Sequence, residues 1–400
     1  MYKYYFYNGL DALVKRIEKI KCQNPFEIAW FGNGRDVVLI NETLKEKNSK
    51  VKYVIDNDCN KWGKELKEVY DLGYYENFID ESKREKVYIY NPEEIAKKNG
   101  EMYFVIISQY YDSMKKQLLS YGVSEEKIII INRETWISQD KDIRGRISKS
   151  KKLDLKQRQA VELELLKEFH NYCRNENLTY FLSSGSLLGA IRHKGFIPWD
   201  DDIDVYMPYE DYIKFMKLYP KTGRYQPISW EICDKYFLPF GKLTDTETLI
   251  FHDFYPLFEC NGVYIDIFPL AGYDSESSPE EFWEKNETME KNWIQYYCIR
   301  NLFGEDIPDI RKEIYEERYC FSFYDSEIVG ARHIIPKIKQ WCVPKTIYSQ
   351  RIEVEFEKEM FDAPVGWDEL LKVRYGDYMT LPPVEQQHGH YFDAYIMENI

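Results

Sequence analysis

Between Phe26 and Ile131 short apolar runs alternate with helical stretches, and that alternation leaves few folds open. The runs Glu27–Phe31, Val51–Asp56, Lys86–Tyr90, Tyr103–Ser108 and Lys127–Ile131 each have the length and composition of a buried strand. Helical stretches at 36–48, 92–99 and 111–121 separate them. Parallel neighbours need a crossover connection, so strands that alternate with helices predict a doubly wound parallel sheet covered on both faces. Residues 1–23 precede it as an amphipathic helix, with Leu10, Leu13, Val14, Ile17 and Ile20 on one stripe.

The first strand ends in Gly32-Asn33-Gly34 and the second closes on Asp56. This resembles the Rossmann fingerprint, in which glycines admit a pyrophosphate and the acid meets a ribose hydroxyl. The third glycine position holds Val37, so the fingerprint is incomplete. The run Asp56-Asn57-Asp58…Lys61-Trp62-Gly63 also resembles small Rossmann-like modules found beside sugar-modifying transferases. A docking or structural role is the reading we favour for this part.

At 400 residues the chain has room for two domains. We place a Rossmann-like α/β domain at 1–140, a charged linker at 141–155 and a second domain at 156–400. The basic residues Arg144, Arg146, Lys149, Lys151 and Lys152 could touch anionic lipid or a phosphorylated acceptor, which leaves peripheral membrane association open, but a solvated run is favoured. The net charge of −14 counts against a nucleic-acid partner, which would require a clustered basic face. Eight cysteines stand without a C-x-x-C pair, so they read as reduced thiols rather than zinc ligands or a disulfide framework. No apolar run approaches the roughly 18 residues of a membrane span. The N-terminus lacks a signal-peptide pattern, and we expect a soluble cytoplasmic protein without a transmembrane segment.

The second domain opens with a helix, Lys156 to Arg174, whose expected apolar stripe is Ala160, Leu163, Leu166, Phe169 and Cys173. A strand at Tyr180–Ser183 leads to Gly185-Ser186, where a turn into a helix offers backbone N–H groups to a phosphate. Then Asp202-Ile203-Asp204 begins another apolar run. Strand alternation would set Asp202 and Asp204 on one face. Adjacent carboxylates repel, and a hard divalent cation is the usual remedy. Phe237–Thr244 reads as a strand carrying Lys242, and Gly262–Phe268 as one carrying Asp266 between Ile265 and Ile267. An acid inside an apolar strand is costly unless it is paired or bound to metal, so Asp266 is the expected third carboxylate. Residues 274–360 are helix-rich and aromatic, suited to an acceptor groove or to packing.

The run Gly185-Ser186…Gly189-Ala190-Ile191-Arg192-His193-Lys194-Gly195…Ile197-Pro198-Trp199-Asp200-Asp201-Asp202-Ile203-Asp204 resembles the signature of the LicD family, phosphocholine transferases related to fukutin. Tyr375-Gly376-Asp377-Tyr378-Met379…Leu381-Pro382-Pro383…His390 resembles that family's C-terminal signature, except that Gln387 stands where Arg is common. The resemblance spans about residues 155–400. It implies an α+β nucleotidyltransferase-like domain with helical elaboration.

It also implies transfer of a phosphoalcohol, commonly phosphocholine from CDP-choline, to a hydroxyl of a surface glycan or lipid-linked oligosaccharide, with release of CMP. The acids Asp202, Asp204 and Asp266 would hold Mg²⁺ or Mn²⁺ and form the catalytic set. Gly185, Ser186, Arg192, Lys242 and His390 are the donor-binding candidates. Trp199, Tyr206 and Tyr264 are candidates for the aromatic faces that a choline head would need. Two other readings compete: nucleotidyl transfer from an NTP to a sugar phosphate, and a non-catalytic scaffold of glycan assembly. Three costly acids argue against the scaffold.

Overall fold

The computed structural model describes residues 27–32, 37, 41, 51–70, 86–98, 102–108, 110–130, 145–233, 236, 238, 240–252, 262–273, 321–331, 342–389 and 392–397. The N-terminal helix, Asn33, Gly34, Arg144, most aromatics of 274–360 and His390 lie outside these residues. The chain divides into two compact units, 1–148 with 252–257 and 298–307, and the remainder.

The first unit is an α/β body around five parallel strands: β1 (Glu27–Gly32), β2 (Val51–Ile55), β3 (Ile89–Tyr90), β4 (Met102–Ile107) and β5 (Ile128–Ile130). Their order across the sheet is β3-β2-β1-β4-β5. Strand alternation gives the sheet two apolar faces. Ile28 and Trp30 join one buried cluster with Val54, Val105 and Ile129. Ala29 and Phe31 join another with Ile55, Phe104, Ile106 and Leu118 from α1 (Tyr111–Ser120). Both faces are dry, which is why the runs read as continuous apolar strands. The third strand is shorter than its expected run because Tyr88 makes only an isolated bridge to Glu65.

In the second unit, β6 (Ser150–Lys152) lies within the charged segment expected to be a linker. Helix α2 (Leu155–Asn175) follows, capped by Asp154 and Gln157, each accepting the other's backbone N–H. Next come β7 (Phe181–Leu182), α3 (Ser184–His193), β8 (Asp204–Pro208), α4 (Tyr209–Leu218), β9 (Tyr225–Ile228), β10 (Gly241–Asp245), β11 (Thr248–His252) and β12 (Tyr264–Gly272). Beyond them lie β13 (Ile328–Ala331), β14 (Cys342–Pro344), β15 (Arg351–Phe356), β16 (Glu359–Pro364), α5 (Trp367–Tyr375) and β17 (Phe392–Met397). The nine residues of β12 are all buried, and they form the spine of a mixed sheet. It pairs antiparallel with β10 and β13 and parallel with β8, while β6 and β17 pair in a separate small sheet.

The buried face of α2 is Arg158, Val161, Glu162, Leu165, Leu166, Phe169 and Cys173. The expected stripe had Ala160 inside, but Ala160 is exposed and Leu163 only partly covered. The apolar stripe runs through Val161 and Leu165 instead, and two charged side chains, Arg158 and Glu162, share that buried face. Phe169 anchors this face, its ring 5.0 Å from both Tyr180 and Phe215 in edge-to-face contact. Phe169→Ala should lower the stability of this unit by about 3–5 kcal/mol, read from denaturant unfolding. A loss under about 1 kcal/mol would mean that the helix packs elsewhere.

Candidate functional site

The site is built where β8 and β12 run side by side. Their parallel register sets Asp204 directly opposite Asp266, and the β10 register sets Lys242 opposite Asp266 on the other side. Side chains in register share a face, so an ammonium and two carboxylates line up across three strands. Lys242 ion-pairs with Asp266, and its Nζ lies 3.3 Å from the centre of the Tyr264 ring. The cost that singled out Asp266 in the sequence is thus met by a buried cation. Burial pushes the Lys242 ammonium below its ordinary value, and Asp266 opposes that shift. Burial first, then the charges of Asp202, Asp266 and Asp200, push the Asp204 carboxyl well above the usual carboxylate range.

Strand β8 begins at Asp204, so Asp202 is placed by the preceding loop and not by strand alternation. That loop folds Asp200, Asp201 and Asp202 together, with one carboxylate oxygen of each within 4.8 Å of the others. Gly185, in the first turn of α3, lets the loop come in: a Cβ there would stand 2.5 Å from Asp200 Oδ2. The positive end of the helix therefore faces a carboxylate. Ser186 Oγ accepts the Asp204 backbone N–H at 2.8 Å. The two residues expected to cradle a phosphate thus seat the acidic loop and the start of β8. Gly189 admits the outgoing chain, since a Cβ would meet the Gly195 carbonyl oxygen at 2.5 Å. The tip of the β15–β16 hairpin holds that chain, Glu357 Oε1 accepting the Phe196 N–H at 3.1 Å.

Two residues missed in the sequence sit beneath the loop. Arg158 of α2 ion-pairs with buried Asp201 and lies 3.6 Å from Glu162. Glu162 is only 1% exposed, and burial pushes its carboxyl well above the usual range, against the pull of Arg158. Asp202, Asp200 and Asp266 push it further the same way. The available signal was the i,i+4 spacing of Arg158 and Glu162 on the face of Leu165 and Phe169.

Other expected ligands have visible partners. Arg192 donates to the Tyr378 carbonyl at 2.7 Å, tying the first signature to the second. Gln387 donates to the Pro382 carbonyl at 2.9 Å. Arg374, also missed, donates to Tyr206 Oη at 2.6 Å and to Ser184 Oγ at 3.3 Å, with its guanidinium 5.0 Å from the centre of the Tyr206 ring. It brings a positive charge to the first turn of α3. Of the three rings expected near a choline head, Tyr206 is fully buried under Arg374 and Tyr264 faces Lys242. Trp199 is partly exposed on the acidic loop.

A donor set made wholly of carboxylate oxygens fits a hard divalent cation, and the repulsion among these acids is what such an ion relieves. The folded protein binds the Glu162 proton more tightly than the unfolded chain does, so this residue makes stability fall as pH rises. The fall begins near the ordinary carboxyl value and continues until the raised folded value is passed. Glu162→Gln should flatten this decline in melting temperature, measured against pH in chelator; an unchanged slope would assign it to other groups. Arg158→Ala, which strands Asp201 and Glu162 in the core, should cost about 3–5 kcal/mol on denaturant unfolding.

Comparison with known proteins fits the same region. The family model "LicD/FKTN/FKRP, nucleotidyltransferase domain" matches residues 177–307, which include α3, the acidic loop, β8, Lys242 and Asp266. The lipopolysaccharide cholinephosphotransferase LicD of Haemophilus influenzae is 31% identical over 269 residues, covering 62% of this chain and 100% of that protein. An uncharacterized protein of Rickettsia typhi is 37% identical over 141 residues, 32% of this chain and 42% of its own length. Another from Rickettsia prowazekii is 39% identical over 72 residues, 18% of this chain and 27% of its own. With a relative 31% identical and matched from end to end, and a family model that matches the segment carrying the acids, the chain belongs to the LicD family.

Proposed function

We propose that this protein transfers a phosphoalcohol from a CDP-alcohol to a hydroxyl of a cell-surface glycan or glycolipid precursor, releasing CMP. Phosphocholine from CDP-choline is the first candidate. The observation that carries the reading is the pairing of Asp204 with Asp266 across parallel strands, beside the grouped Asp200–Asp202. The name of the Haemophilus influenzae relative, which specifies choline phosphate and lipopolysaccharide, supports the group and the class of acceptor. On this reading the second unit is a nucleotidyltransferase-like domain and the first a Rossmann-like accessory, acting in the cytoplasm.

Asp202, Asp204 and Asp266 would hold Mg²⁺ or Mn²⁺, which when bound would neutralise donor pyrophosphate charge and ease departure of CMP. The chain's own residues orient the reactants. Lys242 balances Asp266, and Arg158 steadies the acidic loop through Asp201. Arg374 and the first turn of α3 offer positive potential to the donor phosphates, with Gly185 and Ser186 nearest that turn. Arg192 acts indirectly, by holding the C-terminal signature against α3. A carboxylate of the group would accept the proton of the attacking hydroxyl. Trp199 is the ring best placed to meet a quaternary ammonium.

Incubation with CDP-choline, Mg²⁺ and a glycan acceptor, read by mass spectrometry, should give CMP and either a phosphocholine ester of the acceptor or, by transfer to water, free phosphocholine. Pyrophosphate from an NTP, with the nucleotide left on the acceptor, would instead assign nucleotidyl transfer. Asp204→Asn should fold normally and lose about a hundredfold or more in turnover. Near-normal turnover at saturating Mg²⁺ would remove Asp204 from the catalytic set.

A further inference from the structure

The first unit carries a cavity lined by none of the residues assigned to the transfer. It has a volume of about 270 Å³ and opens at the carboxyl ends of β1, β2 and β4, against α1. Phe31, Ile55 and Met114 give it an apolar floor and wall, and Asp56, Lys61 and Tyr70 give it a polar side. In the strand order β3-β2-β1-β4-β5 the chain leaves β1 toward one edge and later returns to its other side at β4. Open parallel sheets bind ligands outside the carboxyl ends of their strands at such a reversal.

The polar side is preorganised. Asp56 Oδ2 accepts from Lys61 Nζ at 2.8 Å and from the Tyr70 hydroxyl at 3.2 Å, and Oδ1 accepts the Asp58 N–H at 2.8 Å. Trp62 Nε1 donates to the Asp56 carbonyl at 2.7 Å. The carboxylate thus has a fixed orientation at the mouth of the cavity, with lone-pair capacity remaining on Oδ1. A carboxylate with room for further donors suits a vicinal diol, and an ammonium has three donors, of which a carboxylate uses one. The apolar floor beside them suits a flat heterocycle. A volume of 270 Å³ lies at the lower end for ligand pockets and accommodates one nucleoside, not a dinucleotide.

We propose that this cavity binds the nucleoside part of a mononucleotide, with Asp56 accepting from the ribose hydroxyls, the base on Phe31, Ile55 and Met114, and Lys61 beside the sugar. All of its lining residues belong to the first unit. Titration calorimetry on the full-length chain with AMP, GMP and UMP should show binding of at least one, at one site per chain. Hydrogen exchange should then show protection over residues 56–62 and 110–114. Met114→Trp, which fills the cavity, should abolish that binding, and Lys61→Ala should weaken it about tenfold. Asp204→Asn should leave it unchanged. If Met114→Trp loses its native unfolding transition, the Lys61→Ala titration and the exchange map decide the matter. No heat with any of the three at millimolar concentration, binding indifferent to both first-unit variants, or binding lost in Asp204→Asn would overturn the proposal.

Discussion

Everything in the second unit that bears on chemistry depends on holding like charges together. Asp200, Asp201 and Asp202 gather in the loop before β8, and Asp204 faces Asp266 across the adjoining parallel strands; two unit charges 4 Å apart repel by about 4 kcal/mol in an effective dielectric of 20. The fold answers with buried cations from two directions. Arg158 rises from α2 to meet Asp201, and Lys242 reaches across from β10 to Asp266. The positive end of α3 faces Asp200. Buried ion pairs seldom add net stability, because desolvation consumes most of their Coulomb energy. Their value here is position: each acid is fixed by a partner supplied from a different element.

That arrangement explains why α2 carries charged side chains on its buried face. The helix presents Arg158 and Glu162 at its first turns and reverts to Leu165, Leu166, Phe169 and Cys173 farther on. Electrostatic demand governs the end of the helix near the acids, and packing governs the rest. Burial pushes the Glu162 carboxyl well above the ordinary carboxyl range, which favours its neutral form beside the acids it faces.

Aromatic residues show a similar division. With 35 tyrosines and 22 phenylalanines, the chain has far more rings than a binding site can use. Tyr180, Tyr206 and Tyr212 are among the largest fully buried side chains. Tyr206 and Tyr264 have their faces turned to Arg374 and Lys242, so these rings steady the protein's own cations.

Local pattern was enough to reveal the five strands of the first unit and the helices near 92–99 and 111–121, because both faces of its sheet are apolar and no burial phase has to be chosen. It also revealed the turn at Gly185, the acid run and the isolated Asp266, since each breaks an otherwise apolar context. The partners of these features were not legible. Lys242 stood out only as a donor-phosphate candidate and not as the partner of Asp266, while Arg158 and Arg374 come from helices far along the chain, with the i,i+4 spacing of Arg158 and Glu162 as the one local signal. The strand alternation assumed for Asp202 failed because the start of β8 is set by its pairing with β12, which begins at Asp204. The sequence by itself therefore determined which residue types could do the chemistry. Only the tertiary structure decided their neighbours, because strand register and helix rotation are chosen by contacts between segments far apart in the chain.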